Sequence, residues 1–232
     1  MNHKSINHES EQNTERVNEV HKAMPAYAVL RKRQGEYTLE DYYALPDDIR
    51  AELIDGELIF LEAPSSIHQE LIGELFFEIK LYIRTNNGPC KILPSPLDVQ
   101  LDCDNRTMLQ PDISVICHRD RIVKKGIYGA PDLCIEIVSP SSRKRDYEKK
   151  RMKYQNAGVR EYWIVDPKTE SVLCYFFEKV ASLILILSTI RSLYGSMTTI
   201  WSSILQKLRS GLSKPLPDDF SLIVLIIPEH SC

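Results

Sequence analysis

Two carboxylates stand where a carboxylate is costly. Glu136 interrupts the apolar run Leu133 to Val138 (LCIEIV), and Asp112 follows Pro111 at the head of Ile113 to Cys117 (ISVIC). A buried carboxylate must be paired, protonated or bound to a cation. If the two runs are neighbouring strands, the side chains converge and raise one another's pKa. A divalent cation relieves that repulsion, and Mg2+ is the usual partner of hard oxygen ligands. The other reading puts Glu136 on an edge strand facing solvent, and spacing alone leaves both open. A cationic segment follows. Seven of the eleven residues from Arg143 to Lys153 are basic. On a helix, Tyr147, Lys150 or Arg151, and Tyr154 share one face, so Lys150 borders the buried side while Arg143, Lys144, Lys149 and Lys153 reach solvent. Such a helix is either a solvated surface or a local phosphate-contacting patch.

The elements that must position these groups can be read from periodicity. Thr38 can cap a short helix with Glu40 and Asp41 in its first turn. Glu57 to Leu61 reads as a strand leaving a turn at Asp55-Gly56. Residues 67–85 carry Leu71, Leu75, Ile79 and Ile83 every fourth position with Phe76 alongside, an amphipathic helix closed by Asn86-Asn87-Gly88-Pro89. Leu97, Val99 and Leu101 alternate as a half-buried strand, and ISVIC and LCIEIV read as buried strands. A second helix spans 141–157, with Ser139 or Ser141 as its cap and Gly158 as its stop. Tyr162 to Val165 and Val172 to Phe176 complete the set. The plan is α/β, a mixed central sheet flanked by helices.

Composition narrows the function. Of 232 residues, 29 are Lys or Arg and 32 are Asp or Glu, for a net charge of -3. Bulk basicity therefore cannot hold nucleic acid, and any such contact must be local. The six cysteines form no CxxC pair and no zinc spacing, so reduced, scattered thiols in a cytoplasmic protein are expected. The polar N-terminus has no signal-peptide core, and no apolar run is long enough to span a bilayer.

The stretches AELIDGELIFLEAPSSIHQ, QPDISVI and GAPDLCIEIVSPSSRKRDYEKKRMKYQNAGVREYWIVDP resemble the Uma-type restriction endonuclease family of the PD-(D/E)XK nuclease superfamily, over about residues 38–178. The resemblance implies a restriction-endonuclease-like fold. It makes Asp112 the aspartate of the Pro-Asp motif and Glu136 the second acidic residue, both metal ligands. Val138 stands where the superfamily's motif lysine would fall, and Lys150 takes its place from the following helix. Glu52 matches an acidic residue on or near the first helix that helps bind metal. His68 matches a histidine opening the long helix, and hydrogen bonding at the helix start is its expected part. The implied activity is Mg2+-dependent (or Mn2+-dependent) hydrolysis of DNA phosphodiester bonds by a cytoplasmic protein with no membrane segment, with a homodimer as one route to two strands. The alternatives are a non-catalytic nucleic-acid-binding or interaction protein of the same fold, or an inactive product.

Three zones follow: a polar, flexible N-terminal tail (1–36), the nuclease-like domain (37–178) and an atypical C-terminal segment (179–232). Residues 1–178 hold 29 of the 32 acidic residues, and none occurs from Lys179 to Pro217. A frameshift near Lys179 accounts for this. Codon choices exist for Leu183 to Gly211 that read as an acidic ending in the neighbouring frame, and Met197-Thr198 forces an aspartate there. The alternative is a genuine amphipathic helix over about 189–210, serving dimerisation.

Overall fold

The computed structural model describes residues 32–101, 104–169, 171–177 and 182–187. A short helix, α1 (Leu39–Tyr43), leads into the hairpin β1 (Ala51–Ile54) and β2 (Glu57–Phe60), then the long helix α2 (Ser66–Thr85). Strands β3 (Lys91–Pro94), β4 (Asp98–Gln100), β5 (Ile113–Ile116), β6 (Ile122–Val123), β7 (Gly126–Tyr128) and β8 (Leu133–Ile137) follow. A π-helical segment (Arg145–Lys150) runs directly into α3 (Arg151–Ala157), and β9 (Glu161–Asp166), β10 (Ser171–Phe176) and β11 (Ser182–Leu187) come last.

Six strands make the central sheet in the order β11-β10-β9-β8-β5-β3. β8 and β9 run parallel and the other neighbours antiparallel, so the sheet is mixed, as expected. The expected α2 stripe is buried at Leu71, Leu75 and Ile83, with Ile72 beside it. It packs on Ile113 and Val115 of β5 and on Leu133, Ile135 and Ile137 of β8. The alternate residues Cys134 and Val138 face the other way, against Tyr154 of α3 and Tyr162. Strand alternation thus puts Glu136 on the α3 face. β8 lies between β5 and β9, so the edge-strand alternative for Glu136 is excluded; its side chain is buried.

The hairpin is tightened by Asp55 and Gly56, at φ 53° and 79°. Two successive left-handed residues form the turn whose twist matches an antiparallel pair. Thr38 and Asp41 cap α1 reciprocally, and Gly158 ends α3 at φ 85°, both as anticipated. Lys32 pairs with Asp41, and Gln34 exchanges two hydrogen bonds with Leu58. β4, β7 and β6 form a small separate sheet.

Two expectations change. Cys90 and Cys117 form a disulfide, whereas Cys134 and Cys174 are free and buried. The antiparallel register pairs Lys91 with Ile116, and one step further sets the two cysteines opposite each other. A separation of 27 residues carries no local signature of that pairing. In addition, the start of the acid-free zone continues the sheet: β11 pairs antiparallel with β10 from Ser182 to Leu187. The rest of that zone, including the alternative 189–210 helix and most of the shifted-frame stretch, lies outside the described residues, as do residues 1–31.

A β-carbon at Gly56 would stand 2.6 Å from the Gly35 carbonyl oxygen. Gly56→Ala is therefore expected to cost at least about 1 kcal/mol, combining a positive φ with a backbone clash. Urea unfolding would show it as a lower midpoint at unchanged slope.

Candidate active site

The β5–β8 register brings the two carboxylates together. Ile113 pairs with Ile135, so Asp112 and Glu136 follow as the next opposed pair. Asp112 Oδ2 accepts a hydrogen bond from the Ile137 backbone N–H at 2.7 Å, which fixes it to the end of β8. His68 Nε2 lies 3.2 Å from the same oxygen. Its backbone N–H meanwhile donates to the Ser65 hydroxyl that caps α2. His68 thus plays the helix-start part expected of its backbone and also enters the site through its ring.

Glu136 is held from the helix side. Lys150 Nζ donates to Glu136 Oε1 at 2.8 Å, and Tyr154 Oη donates to the same oxygen at 2.7 Å. Lys150 and Tyr154 are four residues apart, so their convergence is the expected helical face; Tyr147 instead donates to Asp166. Lys150 Nζ also lies 2.8 Å from Glu52 Oε1 and 3.6 Å from Asp146 Oδ1. Glu52 stands on strand β1, a correction to its expected place on or near the first helix. The β1 backbone can set its side chain beside β5 because Leu53 bridges to Met108. The Gln110 N–H then donates to Glu52 Oε1 at 3.0 Å. Arg145 Nε approaches Glu52 Oε2 at 3.5 Å.

These groups line one open cleft of about 700 Å³. Its walls are β1–β2, the start of α2, the Ser139–Ser142 turn and the π-helical segment. A π turn is wider than an α turn and recurs at functional sites. Here it sends Arg145, Asp146 and Lys150 to the same cluster.

The electrostatics are dominated by scarcity of positive charge. Burial works against the Lys150 ammonium, but Glu136, Glu52 and Asp146 outweigh it and hold the lysine charged, its pKa well above the ordinary value. Burial pushes the Glu136 carboxyl well up; Lys150 opposes this, and Asp146, Asp112 and Glu52 add to it. Burial likewise raises Asp146, against Lys150 and the Ser142 hydroxyl. For His68 burial disfavours the cation, yet the Asp112 hydrogen bond and charge prevail and lift the imidazole above its usual value.

The structure gathers all four expected residues, Asp112, Glu136, Lys150 and Glu52, into one cluster. Sequence reading missed Asp146, Arg145, Tyr154 and Gln110 as members. Asp146 and Arg145 had been absorbed into the general charge of the basic helix. Most of that helix's cations are engaged within the molecule. Arg143 pairs with Asp166, Arg145 with Glu52, Lys149 with Glu57, and Lys153 with Asp55 and Asp104. Together with Lys150, five of the seven basic residues are tied to carboxylates of the body.

Among the described residues, no three His, Cys, Asp or Glu side chains form a ready-made metal cage. The physical reason is visible: the Lys150 ammonium occupies the point between Glu52 and Glu136 where a cation would gather them. The donor set nevertheless suits a hard divalent ion. The ligands are carboxylate oxygens, they outnumber the nearby fixed cations, and Glu52 Oε2 and Asp146 Oδ1 are buried without a hydrogen-bond partner.

Removing Lys150 leaves buried Glu136 without its cation, and Glu52 and Asp146 with Arg145 alone. Lys150→Met is expected to destabilise by about 3–5 kcal/mol, with a smaller loss at pH 5 than at pH 8. Carboxyls whose folded pKa is raised take up protons as pH falls, which relieves the repulsion. Urea unfolding at the two pH values measures this. For His68, a raised folded pKa means that its stabilisation is complete below the ordinary imidazole pKa and is lost as pH rises through the folded value. An NMR titration of the imidazole should give a midpoint above 6.5. In Asp112→Asn the midpoint should fall, because the two largest contributions that favour the cation are lost.

A family model described as "Uma2: Putative restriction endonuclease" matches residues 39–185. No curated protein matches the chain. Among solved structures, a "putative nuclease belonging to DUF820 from Anabaena variabilis ATCC 29413" superposes with a TM-score of 0.54 at 21% identity, over 71% of this chain and 92% of that one. That likeness establishes the fold. The family match reaches past the expected limit of residue 178 into β11, so the strand added to the edge of β10 belongs to the matched domain. The Asp112–Glu136–Lys150 cluster thus stands on a nuclease fold, and the chain belongs to the Uma2 restriction-endonuclease family.

Proposed function

We propose that the protein is a metal-dependent DNA endonuclease acting at the Asp112–Glu136–Lys150 cluster. The observation that carries this reading is the convergence, on one open cleft, of Asp112, Glu136 and Glu52 with a single charged lysine among them. Asp112, Glu136 and Glu52 are the residues that would hold Mg2+ or Mn2+, which when bound polarises the scissile phosphate and acidifies a water. Asp112 is pre-oriented for this by the Ile137 N–H and His68. Lys150 and Tyr154 both donate to Glu136 Oε1. Lys150, kept protonated by its neighbours, offers positive charge to the phosphate as negative charge develops on it. Glu52 and Asp146 hold the ammonium in place. Substrate would be DNA in the cytoplasm, and a homodimer would set one cluster on each strand.

The lysine's full engagement with carboxylates favours one other reading, a non-catalytic nucleic-acid-binding protein of the same fold. Plasmid cleavage separates the two. With Mg2+ or Mn2+ the wild type should nick supercoiled DNA, and chelation should stop it. Asp112→Asn and Lys150→Ala should each lose activity by at least about 100-fold, the scale of removing an electrostatic contact made in the transition state. Undiminished cleavage by purified Asp112→Asn would sink the assignment; metal-independent binding without cleavage supports the second reading.

A further inference from the structure

We propose that Arg50 and Arg145 form a phosphate subsite beside the carboxylate cluster, holding a backbone phosphate of the nucleic-acid strand next to the one that is cut. The inference rests on the nuclease reading and supplies what that reading lacks. Most other basic residues of the helix are held in internal ion pairs, whereas the two arginines that line the cleft, Arg50 and Arg145, keep unpaired donors.

Arg50 immediately precedes β1 and lies two residues before Glu52. In extended backbone that spacing sends both side chains to one face, and both line the cleft. Arg145, on the π-helical segment, lines the same cleft and lies against Glu52 Oε2. Arg145 approaches Glu52 directly, and Arg50 reaches Gln110, whose backbone N–H donates to the same carboxylate. Both are under-used. The Nε of Arg50 and the Nε of Arg145 are each buried without a hydrogen-bond partner. Arg145 faces Glu52 at 3.5 Å without forming a hydrogen bond. Arg50 reaches only the Gln110 side-chain oxygen, at the long distance of 3.4 Å.

A buried donor left unpaired costs free energy. Two of them on fixed cations at the wall of one open cleft form an incomplete site, one that an incoming ligand completes. The guanidinium presents Nε and a terminal nitrogen as a fork that fits two oxygens of a phosphate. A carboxylate would fit the fork equally; Glu52 gives Oε1 to Lys150 and Gln110, and its Oε2 faces Arg145 at 3.5 Å without a hydrogen bond. The geometry points to a tetrahedral anion approaching from the open side. In the phosphodiester backbone such anions come in regular succession, so a strand that seats one at the metal cluster carries another to the arginines.

The test is equilibrium binding of a fluorescently labelled DNA duplex in EDTA, where no cleavage occurs, across a KCl series. Arg50→Ala and Arg145→Ala should each weaken binding about tenfold, the loss expected for one charge-assisted hydrogen bond. Each should also lower the slope of log affinity against log salt by about one. Arg145→Lys, which keeps the charge beside Glu52 and guards against simple unfolding, should keep the slope but not the affinity, because an ammonium lacks the fork. Unchanged affinity and slope in both alanine variants overturn the subsite, as does a folded wild type that binds no duplex. The two proposals fail separately. Cleavage by the wild type with unaltered arginine-variant binding leaves the nuclease reading standing without the subsite. Arginine-dependent binding without cleavage in any metal leaves the subsite and removes the nuclease reading.

Discussion

The Lys150 ammonium is the contact around which this site is built. It sits in the interior, bonded to Glu136 from the central sheet and to Glu52 from the hairpin, with Asp146 one helical turn behind it. Three separate elements meet through that single charge. None of the three carboxylates could be buried there without it, since an isolated ionised carboxylate in the interior is prohibitively costly. The hairpin, the sheet and the π-helical segment are therefore coupled electrostatically as well as by packing.

Sheet register supplies the second constraint. A one-residue slip between β5 and β8 would move Glu136 to the α2 face, among Leu71, Leu75 and Ile83, with no basic group to meet it. The apolar residues on the α2 side of β5 and β8 hold the register against that slip. The same alternation that makes the core leaves the opposite face free for chemistry at the end of the sheet, where Tyr154 provides a hydrogen bond in place of an aliphatic contact.

The basic helix shows how misleading a local charge count is. Seven cations within eleven residues suggest an anion-binding surface. In the folded chain most of them clamp the helix to the body, with Lys149 and Lys153 tying it to the hairpin tip and Asp104. The charge serves attachment, and it brings Arg145, Asp146 and Lys150 to the cleft in a defined orientation. Arg50, outside that run, and Arg145, within it, are left with unpaired donors at the cleft wall.

Much of this was already legible in the chain. The α2 stripe, the apolar runs of β5 and β8, the Asp55-Gly56 turn and the Gly158 stop are local patterns, and local patterns survive folding because sterics and side-chain period act over a few residues. The misplaced carboxylates Asp112 and Glu136 were visible for the same reason, since an acid inside an apolar run is an anomaly at any scale. Tertiary structure alone decided who neutralises whom. That Glu52 comes from a strand, that Arg145 joins the site, and that His68 reaches Asp112 depend on contacts between residues far apart in the chain, as does the Cys90–Cys117 bond, whereas Asp146 meets Lys150 across one helical turn. Ion pairs and disulfides are set by distance in space. The distances were fixed only when the β5–β8 register and the packing of the helix on the sheet brought those residues together.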